Sequence, residues 1–167
     1  SKAPDFDKSR VPAELGAICA RTMSAEPKER FGSVSDFQAA VKDYMRHRES
    51  TKLSSQADQL LHSTDAEVKS VVGVGATEEQ KKKLYDRYEK VVAGFHNARA
   101  LWAENPAVEL GIRAAQGSHG ELAFQCQDLG LAAIKIAGLD DPKVLELKKK
   151  IDQRRGEIEA EEKRNQL

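Results

Sequence analysis

Apolar residues recur along this chain at three- and four-residue intervals, the period of a helix with one buried face. Leu15, Ile18, Cys19 and Met23 form the first stripe, behind Pro12, whose missing N–H suits the first position of a helix. The segment "SAEPKERFGS" breaks it with Pro27 and Gly32. Ser33 and Asp36 then stand at capping spacing before a second stripe of Phe37, Ala40, Val41, Tyr44 and Met45. The polar run "RHRESTKLSSQ" follows, leaving open whether the helix continues through Ser50 or restarts there. A stripe resumes at Leu53, Ala57, Leu60 and Leu61, and residues 63–76, with no helical period, predict a loop or a short irregular piece.

The second half repeats the pattern. Thr77 and Gln80 match a capping box, and Leu84, Tyr88, Val91, Phe95, Ala98 and Trp102 define a long stripe ended by Glu104-Asn105-Pro106. Residues 107–126 predict a helix weakened by Gly111, Gly117 and Gly120, and "QDLG" a tight turn. Leu131, Ala132, Ile134, Ile136 and Ala137 predict a short buried helix. A last helix starts near Pro142 and shows Val144, Leu147, Ile151 and Ile158, becoming solvated past Ile151. Residues 1–11 read as an irregular lead-in. Six or seven helices and no strand predict an all-α chain.

Composition narrows the function classes. Lysine plus arginine and aspartate plus glutamate both number 27, so the 167-residue chain lacks the basic footprint of nucleic-acid binding and any pull toward anionic membranes. No apolar run reaches the roughly 18–20 residues that span a bilayer, and the first ten residues lack the apolar core of an export signal. Cys19 and Cys126 are far apart and unmotivated as a pair, which suits a reducing, cytoplasmic setting.

Residues 11–50, "VPAELGAICARTMSAEPKERFGSVSDFQAAVKDYMRHRES", resemble the last two helices of the catalytic C-lobe in bacterial, eukaryotic-like serine/threonine protein kinases. The similar elements are a Val-Pro before "ELGAIC", a "DPxxR"-type loop (here "EPKER"), the turn Phe31-Gly32-Ser33 and a closing amphipathic helix. The resemblance implies a division into a lobe remnant, 1–48, and a following helical module, 49–167. It also implies that Arg30 is one half of an ion pair whose glutamate lies in an Ala-Pro-Glu motif not contained here. The glycine-rich loop, Val-Ala-Ile-Lys, His-Arg-Asp and Asp-Phe-Gly motifs are not in the sequence either, so no catalytic residue is assigned. ATP and Mg²⁺ would belong to the parent kinase and no cofactor to this chain. Residues 49–167 resemble tetratricopeptide-like antiparallel helical repeats, with Val91, Phe95 and Ala98 at small–bulky–small spacing and "ALWAENPA" at a repeat end. Gly120 and Ala132 keep a repeat-like spacing of twelve, whereas Ala103, His119 and Leu139 depart from the pattern.

Candidate chemistry is sparse. Both cysteines read as buried inert thiols, because no histidine or basic cluster is placed to activate them. His47, His62, His96 and His119 lack metal-ligand spacing, and "GVGATEEQKKK" lacks the Gly-Lys-Ser/Thr of a phosphate loop. Lys81–Lys83 beside Glu78 and Glu79 read as a solvated helix start. Ser50, Thr51, Ser54 and Ser55 read as polar linker in preference to phosphorylation sites. Tyr88, Phe95 and Trp102 could line a partner groove, though such a stripe is more often core. The expectation is a non-catalytic part of a kinase whose repeats bind protein partners or the parent kinase domain; the alternative is a structural or oligomerisation module. Surplus apolar surface on the first two helices suggests a homodimer through residues 12–45.

Overall fold

The computed structural model describes residues 11–72 and 75–165; the lead-in expected for residues 1–10, and residues 73–74 of the expected loop, lie outside them. The described residues form six α-helices and one 3-10 turn, with no strand among them: α1 (Ala13–Thr22), the turn (Pro27–Glu29), α2 (Val34–Val72), α3 (Glu78–Leu101), α4 (Pro106–Gln125), α5 (Leu129–Ile136) and α6 (Pro142–Asn165). The chain is all-α.

Helix α2 has 39 residues and spans about 58 Å at about 1.5 Å per residue. It runs unbroken through the stretch that reads as linker and through residues 63–72, where the sequence suggests a loop. The reason lies in its small polar residues. Ser50, Ser54, Ala57, Leu61 and Thr64 are buried, and their spacing is that of one helical face. Ser50, Ser54 and Thr64 make most of that face hydroxyl, so it is invisible to an apolar pattern. Several hydroxyls bond back to the helix itself: Thr51 Oγ1 donates to the His47 carbonyl (2.9 Å) and Thr64 Oγ1 to that of Leu60 (2.7 Å). The boundary expected near residue 48 therefore falls inside a continuous helix.

Helices α2 and α3 form an antiparallel hairpin, because Ser50 meets Ala98 at one end and Glu67 meets Lys83 at the other. Helix α3 begins at the foreseen capping box: Gln80 N–H donates to Thr77 Oγ1 (3.2 Å) and Thr77 N–H to Gln80 Oε1 (2.8 Å). It buries Leu84, Tyr88, Val91, Phe95 and Ala98, the expected stripe except for Trp102. Trp102 caps the helix and stacks on His47, with centroids 4.5 Å apart.

Two glycines of α4 are packing devices. A Cβ on Gly111 would lie 2.1 Å from the Phe95 ring, and one on Gly120 would lie 2.4 Å from Ile136 Cγ2. Their absence of a side chain lets α3 and α5 approach α4 closely; the helix tolerates their poor propensity for that gain. Gln127, in the turn, carries φ 63°, and the Asp128 carboxylate accepts the Leu131 N–H (3.0 Å) to start α5. Helix α5 buries Leu129, Ala132 and Ile136, whereas Ile134, expected inside, is 72% exposed. Helix α6 buries Val144, Leu147 and Ile151; beyond them only Ile158 still packs on the core.

Candidate functional site

Helix α4 forms the floor of a cleft walled by the C-terminal half of α2 and the start of α6. The cleft measures about 650 Å³. Its floor is low because α4 presents Ala114, Gly117 and Ser118 there, and a Cβ on Gly117 would meet nothing closer than Val144 Cγ2 at 3.9 Å. Val68, Val144 and Leu147 line the walls, and Tyr88 reaches in from α3. The α2–α3 and α4–α5 hairpins put α2, α4 and α6 on one side of the molecule, with α3 and α5 behind.

The charges in the cleft are unequally engaged. Asp65 accepts the Tyr88 hydroxyl (2.7 Å) and the Ser118 hydroxyl (3.4 Å). Burial, then the bond to Asp65, pushes the Tyr88 phenol far above its ordinary value, so it acts as a fixed donor. Glu121 accepts the Gln125 amide (3.3 Å), and Asp141 accepts the Val144 N–H (3.1 Å), capping α6. Arg113 pairs with Asp140, whose carboxyl is held below its usual range by that bond. Lys69 and Lys143 have no ion-pair partner among the described residues.

The expected groove trio is divided. Tyr88 belongs to the cleft, Phe95 is 1% exposed and sits in the core on Gly111, and Trp102 lies at the far end of α3 against His47. His47 joins three helices, since its Nδ1 also lies 2.8 Å from Glu14 Oε1 of α1. Arg30 is exposed and lines a shallow notch of about 240 Å³ with Phe31, Val34 and Phe37. Its Nε donates to the Ser24 carbonyl (2.8 Å), so it ties its own loop, and it has no ion pair among the described residues.

The serines read as linker are structural. Ser50 and Ser54 are buried; Ser50 Oγ donates to the Ala98 carbonyl (2.7 Å) and accepts from Asn105 Nδ2 (2.8 Å), which also reaches Ser54 (3.3 Å). Asn105 Oδ1 in turn accepts the Ala107 N–H and caps α4. Thr51 and Ser55 face solvent. Both cysteines are half-buried rather than fully inside, and Cys126 lines a small hollow with Tyr85 and Lys81.

His119 is 3% exposed between Tyr85 and Tyr88, with ring centroids 5.1 and 5.3 Å away. Its Nδ1 lies 3.5 Å from Glu89, and its buried Nε2 has no hydrogen-bond partner. Burial, helped by Lys135 and opposed by Glu89 and Asp128, lowers its pKa to about 4. No group of three histidine, cysteine or acidic side chains is placed to hold a metal among the described residues, and no helix there is long and apolar enough to cross a membrane.

The cleft has no signature in the sequence. Its residues come from four helices, and Gly117 of the floor reads in the sequence only as a weak point of α4. Neither a family model, a curated protein nor a solved structure matches the chain.

Proposed function

We propose that this chain is the non-catalytic C-terminal part of a serine/threonine protein kinase, and that its helical module binds a protein partner, or the parent kinase domain, in the cleft over α4. The observation that carries the binding role is the cleft itself: concave, about 650 Å³, with Val68, Val144 and Leu147 among charged residues in its walls and small residues in its floor. Support for the parentage is the kinase-like order of elements in residues 11–50, with a helix, an arginine-bearing turn and a second amphipathic helix. Phosphoryl transfer with ATP and Mg²⁺ is a task of the parent's own motifs. The helices after α2 serve as tetratricopeptide-like repeats, with α2, α4 and α6 facing the partner.

Two experiments test this reading. Peptides selected from a display library against the whole chain should lose binding to Gly117→Leu, whose side chain would occupy the cleft beside Val144. Peptides that bind both forms equally would place the partner site elsewhere. The reading frame upstream of Ser1 should encode Asp-Phe-Gly and Ala-Pro-Glu motifs; a frame with neither removes the parentage.

A second reading, self-association, rests on exposed apolar residues in the first two helices. Met23 is 51% exposed, Met45 62% and Val34 72%. Pairing of residues 12–45 with a second copy would cover them. Sedimentation of the chain and of a Val34→Glu, Met45→Glu double variant separates the cases: self-association predicts a dimer that the variant dissociates.

A further inference from the structure

No further inference is drawn: the strongest candidate, the cleft over α4, belongs to the site already described, and the carboxylates of Asp65, Glu121 and Asp141 balance Lys69, Arg113 and Lys143 along its lining, so no charge marks the chemistry of an occupant.

Discussion

The two ends of helix α2 live in different surroundings. Its C-terminal half is packed by α3 and α4, with Ala57 and Leu61 joining Leu84, Val91, Phe95 and Val108 in a closed core. Among the described residues, positions 34–46 of α2 are packed only by α1 and the loop that follows it, and there Ile18 is the single apolar residue that becomes buried. Phe37, Val41 and Tyr44 have as regular a stripe as any in the chain, yet stay half-buried. Amphipathic pattern creates a face; only a neighbour on both sides turns it into a core. One unbroken helix joins the two regimes, and the seam is marked by the His47–Trp102 stack, the Glu14–His47 pair and the buried Ser50–Asn105 contact.

The largest expected effect contrasts the two regions directly. Phe95→Ala should cost about 3–5 kcal/mol, the range for emptying a tight aromatic site, whereas Phe37→Ala should cost less than about 1.5 kcal/mol. Urea unfolding followed by circular dichroism measures both, and equal losses would erase the distinction. Native-state hydrogen exchange sharpens the same contrast: amides of residues 14–45 should exchange well before those of 84–98. Trp102, the one tryptophan, stands at the seam and reports by fluorescence whether the N-terminal pair leaves first.

Acid should act on the packed region through His119. His119 is neutral when folded, with a pKa of about 4 against an ordinary value of 6.5. Between those values the unfolded chain binds the extra proton, so stability is complete above about pH 6.5 and falls as pH drops toward 4. The loss is at most on the order of 3 kcal/mol. In His119→Phe that part of the slope should vanish in urea titrations between those pH values; an unchanged slope would assign the acid sensitivity to carboxylates.

At the seam, Asn105→Ala removes a helix cap and the donor that Ser50 and Ser54 accept, and should cost about 2 kcal/mol. A loss under about 0.5 kcal/mol would mean that the two regions are joined by helix continuity alone. Arg30→Ala comes last. Exposed and bound only to the Ser24 carbonyl, it should change stability by less than about 0.5 kcal/mol, and a larger loss would reveal a strong partner for this arginine.

Much of the helical layout was legible because period and caps are local. The stripes of α1 and α3, the Thr77–Gln80 box, the break at Pro27 and the turn before α5 depend on neighbours within a few residues, and the sequence displays them. The length of α2 was not legible, because its buried face is built from Ser50, Ser54 and Thr64, which look like linker until a partner helix covers them. Gly111 and Gly120 likewise read as weaknesses, and only the positions of Phe95 and Ile136 across the interface make them necessary. The cleft is the extreme case. Asp65, Tyr88, Ser118 and Val144 are distant in the chain, and hairpin packing alone brings them within reach of one another. Sequence by itself determined where helices form and which face of most of them is apolar, since those follow from backbone period and side-chain hydrophobicity. Tertiary structure decided which faces are covered, which polar residues go inside and where the surface is concave, since burial belongs to pairs of elements and not to any one of them.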